Sequence, residues 1–193
     1  MAERIFQELS VRSQLDPVIN RRMRSHPLKF LSQYDLTFEE VKRLVLPTFT
    51  WIVNDKIAAM GFPNSDDAYT VLYKVGIRTI INLTGYNDDA PEIRMFRVHR
   101  IPIPNHKAPT IEQMFRATTV ITESVKEGLS VLVHCEAGLG RTGTVLAAFF
   151  VTVGYDGYDA IETVRSKRAG SIETEEQEQS VLEFAEWFEK SKV

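Results

Sequence analysis

The sequence is poor in cysteine: Cys135 is the only one in 193 residues. That excludes an intramolecular disulfide and a cysteine-built zinc site. It also leaves the thiol without a resolving partner, so protection from oxidation would need another route, such as a sulfenamide. Neither sign of charge dominates. With 23 Lys and Arg against 26 Asp and Glu, the net charge is −3, which gives no general reason to expect nucleic-acid or membrane binding. No apolar run reaches about 18 residues and no signal-peptide pattern opens the chain, so a cytoplasmic protein is expected. Internal repeats and low-complexity tracts are missing too. What is present is a 44% hydrophobic composition, enough for one good core, hence one domain with an appendage.

The single cysteine lies in the most informative stretch, Val131-Leu-Val-His134-Cys135-Glu-Ala-Gly138-Leu-Gly140-Arg141-Thr142-Gly143-Thr144. An apolar run ends in His134 and Cys135, a short glycine-bearing loop follows, and an apolar segment of helical character begins near Arg141. Gly138 and Gly140 let the backbone take positive φ and approach a ligand closely. The main-chain N–H groups of Glu136, Ala137, Gly138, Leu139, Gly140 and Arg141 can converge on an anion, helped by the positive end of the helix. Arg141 can then grip two phosphate oxygens. The same field favours a thiolate at Cys135, which suits nucleophilic attack on phosphorus. Thr142 can donate to the sulfur when it becomes a leaving group. The loop lacks the lysine and the spacing of a nucleotide-binding Walker loop.

Along the chain, residues 2–24 have an irregular helical pattern in which Pro17 is either an interruption or the opening of a second helix, with Arg21, Arg22 and Arg24 read as a solvated face. Thr37-Phe-Glu-Glu40 and Thr110-Ile-Glu-Gln113 match capping boxes. Residues 49–53 and 56–60 read as a hairpin, 78–83 as a buried strand, 95–101 as another and 129–134 as the strand that delivers Cys135. Helices are expected from Ser65 or Asn64 to Gly76, from Thr110 to Gly128, over 142–153, from Asp156 to about Lys167, and after Thr174. The acidic run from Glu173 to Glu189 reads as a solvated helix face. Alternating strands and helices predict an α/β fold with a mainly parallel central sheet flanked by helices. An N-terminal helical extension over 1–47 would precede a catalytic domain over 48–193.

The segment around Cys135 resembles the Cys-x5-Arg-Ser/Thr signature of protein tyrosine phosphatases, in the form found in small atypical dual-specificity phosphatases. Phe49-Thr-Trp51, Gly76-Ile-Arg-Thr-Ile-Ile-Asn-Leu-Thr84 and Arg168-Ala-Gly170-Ser-Ile-Glu-Thr174-Glu-Glu-Gln177 read as further landmarks of that family, so the likeness covers roughly 48–190. It implies a phosphatase that uses no metal or cofactor and forms a phosphocysteine, with phosphotyrosine in proteins as the preferred substrate class. Phosphoserine and phosphothreonine are further substrates for such enzymes. Gln177 falls where related phosphatases place a water-orienting glutamine, although a capping box with Thr174 would explain it equally.

One departure stands out. The family's general acid is an aspartate on a loop upstream of the signature, and the matching run, Arg100-Ile-Pro-Ile-Pro-Asn105-His106-Lys107, has Asn105 there. Asparagine cannot act as a Brønsted acid. His106 is one substitute, since an imidazole titrates near neutrality; Asp88 or Asp89 is another; or no side chain serves. Without an acid, activity should favour aryl phosphates or anhydrides over alkyl phosphates. Phosphoinositides, inositol phosphates and RNA 5′-triphosphates are rival substrates, and a phosphate-recognising module with little turnover is the non-enzymatic rival.

Overall fold

The computed structural model describes residues 2–87 and 90–191. Four helices open the chain: α1 (Ala2–Leu15), α2 (Pro17–Ser25), α3 (Pro27–Leu31) and α4 (Phe38–Val45). Pro17 does not break a helix but starts one, at the first turn where a missing N–H costs nothing; Asp16 caps that turn, its carboxylate accepting from Val18 N and Ile19 N. Thr37 and Glu40 form the expected capping box at α4.

The remainder alternates: β1 (Thr50–Val53), β2 (Ile57–Met60), α5 (Asp66–Val75), β3 (Ile77–Asn82), β4 (Arg97–Arg100), α6 (Ile111–Lys126), β5 (Ser130–His134), α7 (Gly140–Thr152), α8 (Gly157–Lys167) and α9 (Glu175–Ser191). The sheet order is β1-β2-β5-β3-β4. Only β1 runs antiparallel to its neighbour; β2, β5, β3 and β4 are mutually parallel. The fold is therefore α/β with a mostly parallel five-stranded sheet flanked by helices, as the sequence predicts. Several expected boundaries differ, two of them by more than one residue at an element's start. The strand over 95–101 shortens to β4 because Pro91–Met95 coils into a 3₁₀ turn, and the helix behind the cysteine starts at Gly140 rather than Thr142.

Both sheet faces are covered, which is why the central strands read as near-continuous apolar runs. Ala59, Val131 and Val133 face a layer made by α6 to α9, with Met114, Ile121, Leu146 and Phe184 fully buried there. Ala58, Ile80 and Leu132 face the other layer, where α5 contributes Val71 and Leu72. The N-terminal helices bury Leu9, Ile19, Phe30, Leu31 and Val45 in that same cluster. Asp67 on α5 fixes α3 by accepting from Leu28 N at 2.9 Å. A parallel sheet sandwiched in this way leaves its chemistry to the loops beyond the C-terminal strand ends. Central β5 ends at His134, directly before Cys135.

Candidate active site

Where β5 stops, the chain makes a tight loop into α7. Gly138 takes φ +77°, and a Cβ there would stand 2.2 Å from the carbonyl of Met60. No other residue fits that turn without moving β2. The Gly138 N–H donates to Cys135 Sγ at 3.2 Å, so a loop amide already points at the sulfur. His134 is buried, its Nδ1 lies 3.3 Å from the Cys135 carbonyl, and its ring meets the edge of Phe62. Phe62 N donates to the Glu136 carbonyl at 2.9 Å, joining the loop to the end of β2.

Arg141, on the first turn of α7, is almost fully buried. Its Nη1 donates to the carbonyls of Ile103 at 2.9 Å and Leu83 at 3.4 Å, and its Nη2 donates to Asn105 Oδ1 at 2.8 Å. Among the described residues no acceptor holds its Nε, so one edge of the fork remains for an oxyanion. Glu136 sits on the loop's outer side with its carboxylate 3.9 Å from Arg141. Thr142 Oγ1 is buried with no hydrogen-bond partner among the described residues, next in sequence to Arg141.

Asn105 and His106 form the tip of a turn closed by Lys107 N donating to the Pro104 carbonyl at 3.1 Å. His106 takes φ +58° and is exposed. It makes no hydrogen bond among the described residues, whereas Asn105 turns inward to Arg141. Asp88 and Asp89 lie outside the described residues. Gln177 is fully buried. Its N–H donates to Thr174 Oγ1 at 3.2 Å, which is half of a capping box. Its side chain leaves the box: Oε1 accepts from Glu173 N at 2.9 Å and Nε2 donates to the Lys107 carbonyl at 3.3 Å. The amide thus joins the start of α9 to the Asn105 turn.

Two residues here escape sequence reasoning. Arg168 donates through Nε to the Gly138 carbonyl at 2.7 Å, and through Nη1 to the Thr48 carbonyl at 2.7 Å and Thr50 Oγ1 at 2.8 Å. Burial holds its guanidinium below arginine's ordinary value, and the neighbouring Cys135 offsets part of that. Glu173 is the second. The acidic run does not begin as a solvated face, because Glu173 precedes α9 and its Oε2 accepts from Gly140 N at 2.9 Å. A Cβ on Gly140 would lie 2.4 Å from that carboxylate oxygen and 2.8 Å from the Gln177 amide. Within the run, Glu178 also pairs with Arg165 at 2.8 Å. The quoted Arg168-to-Gln177 landmark contained both residues, but only spatial contact assigns them to the loop.

Known proteins resemble this chain in sequence and fold. The family model "Swiss Army Knife protein, DSP-PTPase phosphatase domain" matches residues 46–181. Mouse protein tyrosine phosphatase domain-containing protein 1 is 29% identical over 174 residues, covering 78% of this chain and 23% of that protein. An uncharacterized protein of Methanocaldococcus jannaschii is 31% identical over 146 residues, covering 75% of this chain and 80% of that one. The chain spans about a quarter of the length of the mouse relative and 56% of a second Methanocaldococcus jannaschii protein, which is 41% identical over 86 residues. The crystal structure of Tk-PTP in its active form superposes with a TM-score of 0.64 at 32% identity, covering 72% of this chain and 97% of that one. PTPMT1 in complex with PI(5)P has a TM-score of 0.67 over 75% of this chain and 99% of that one; at 17% identity it shares the fold. A cysteine at the end of a central parallel strand, a glycine turn and a buried arginine are thus the local form of a wider likeness, and the chain belongs to the protein tyrosine phosphatase superfamily, with a phosphatase domain of the dual-specificity type.

Proposed function

We propose that this protein is a cysteine-dependent phosphatase of aryl phosphates, phosphotyrosine in proteins being its substrate class. Cys135 Sγ attacks phosphorus in line. The free edge of Arg141 and the loop amides take up the equatorial oxygens, and Thr142 donates to the sulfur when it departs. Preorganised donors of this kind supply most of the rate in phosphoryl transfer.

The observation that carries the substrate preference is the Arg141 Nη2–Asn105 Oδ1 bond of 2.8 Å. Asn105 keeps the position and the acceptor of a family aspartate, yet brings no acidic proton. His106 is exposed on the same turn, and on this reading the acid's place is left unfilled. General-acid assistance is worth about 10²–10⁴ in rate. A phenol, with a pKa of about 10, departs unaided far more readily than an alkyl alcohol. Phosphotyrosine therefore turns over and phosphoserine lags. The carboxylate of Glu136 near Arg141 repels heavily charged inositol phosphates and RNA 5′-triphosphates more strongly than a single phosphoryl group.

Turnover of an aryl phosphate, inhibited by vanadate and lost in Cys135→Ser, is the expected result. Comparable kcat/KM on phosphoserine and phosphotyrosine peptides would contradict the missing-acid account. Binding of phosphopeptide without turnover would make the protein a recognition module instead.

A further inference from the structure

The net charge of −3 is an average that hides one strongly basic surface. Between Leu9 and Tyr34 the chain has five Lys and Arg against a single carboxylate, Asp16. That carboxylate caps α2, accepting from Val18 N at 2.8 Å and Ile19 N at 3.2 Å, so its charge answers the helix end rather than the arginines. Arg12 pairs with Glu8 across one helical turn. Arg21, Arg22, Arg24 and Lys29 are exposed and meet no carboxylate among the described residues. A helix turns by about 100° per residue, which puts Arg24, Arg21, Val18 and Arg22 on one face of α2, roughly 160° wide. Ile19, on the other side, is buried. Apolar side chains project among these cations. Leu15 is 77% exposed, more than any other large hydrophobic side chain among the described residues, with Val18 at 61% and Val11, one turn back on α1, at 55%. Leu15, Asn20, Arg21 and Arg24 wall an open groove of about 600 Å³ between α1 and α2. A second groove of about 340 Å³, reached by Arg22 and Lys29, adjoins it at Ser25.

We propose that the corner formed by α1 and α2 docks this protein on an anionic lipid surface. A peptide-binding site recesses its apolar side chains in a pocket. Here they stand out from the corner, flanked by guanidinium groups, which suits the boundary between headgroups and acyl chains. Leu15, Val18 and Val11 enter that boundary. The arginines, with no carboxylate of the protein to compete, take up the phosphates and carboxylates of the headgroups in the two grooves. No helix among the described residues is long and apolar enough to cross a membrane, so the contact is peripheral. It is separate from the chemistry at Cys135 and can be read without turnover.

The test is co-sedimentation of the full chain with vesicles of phosphatidylcholine alone and of phosphatidylcholine mixed with phosphatidylserine. The unaltered protein is expected to bind the mixed vesicles, to leave the neutral ones in solution, and to be released by raised salt. A basic residue near an anionic leaflet raises partitioning about five-fold, so Arg21→Gln, Arg22→Gln and Arg24→Gln combined should weaken binding about 10²-fold. Leu15→Ser combined with Val18→Ser should weaken it about 10-fold. All five side chains are exposed, so circular dichroism should be unchanged in both variants; if either does not fold, the salt dependence of the unaltered protein decides. No binding to the mixed vesicles, or an unchanged affinity in either folded variant, would overturn the proposal. Equal binding to both kinds of vesicle would overturn it as well, since the arginines would then have no part. Capture of a multiply phosphorylated peptide or an oligonucleotide without vesicle binding would make the corner a docking face for another macromolecule, and the lipid assignment would fall.

Discussion

The two loops that meet at Arg141 have had opposite fates. The Cys135–Arg141 loop holds the parts that the proposed anion binding and covalent chemistry use: the terminal sulfur, an amide aimed at it, a glycine turn nothing else fits, and a buried guanidinium. The Asn105 turn retains only its architecture. Its tip closes on Arg141 and its Lys107 carbonyl is held by Gln177, but the side chain that meets the arginine is an amide with no acidic proton. On the proposed reading, phosphate capture and proton transfer are separable in this fold. One can be rewritten while the other is kept, because the arginine ties the loops together by hydrogen bonds that an amide satisfies as well as a carboxylate.

The comparison breaks most completely in Cys135→Ser, which should abolish aryl phosphate turnover while leaving the fold and phosphopeptide binding in place, read by an activity assay beside calorimetry. Arg141→Ala comes next. It removes the cradle's cation and the link between the loops, and should lower kcat/KM by about 10³-fold or more. Asn105→Asp sharpens the contrast from the other side. Restoring an acid to the second loop should raise turnover of phosphoserine peptides by roughly 10²-fold relative to phosphotyrosine; an unchanged ratio would mean that the asparagine is not what limits alkyl substrates. Arg168→Ala acts through stability. Losing its bonds to Gly138, Thr48 and Thr50 should cost about 2 kcal/mol, roughly 4–8 °C in Tm.

The smallest effect lies away from both loops and serves as a control. Burial, together with the charges of Arg116 and Arg97, holds the His99 imidazole below its ordinary value. The unfolded chain therefore protonates first as pH falls, and the folded state loses stability from the ordinary imidazole range downward. His99→Gln should flatten the decline of Tm between roughly pH 7 and pH 5 without altering aryl phosphate turnover.

What could be read from the sequence was local. The Thr37 and Thr110 capping boxes, the apolar run of β5 and the glycine loop that ends it all encode their structure within a few residues, and both boxes form. Pro17 was ambiguous between breaking and starting a helix until Asp16 took the cap. The contacts that complete the site span the chain instead. Glu173 meets Gly140 across 33 positions, and Arg168 meets Thr48 across 120. No periodicity reports such a pair, and a glutamate at the head of an acidic helix looks the same whether it faces water or a ring of amides. The helices before residue 48 were equally opaque, because an irregular apolar pattern does not say which surface it will cover; Leu9, Ile19 and Phe30 join the apolar cluster on the α5 side of the sheet.

A crystal structure with vanadate tests the central claim most directly. The account predicts vanadium bonded to Cys135 Sγ, its equatorial oxygens on loop amides and on Arg141 Nε, with Asn105 still holding Nη2. Vanadate bound elsewhere, or a loop whose amides turn away from the sulfur, would contradict it.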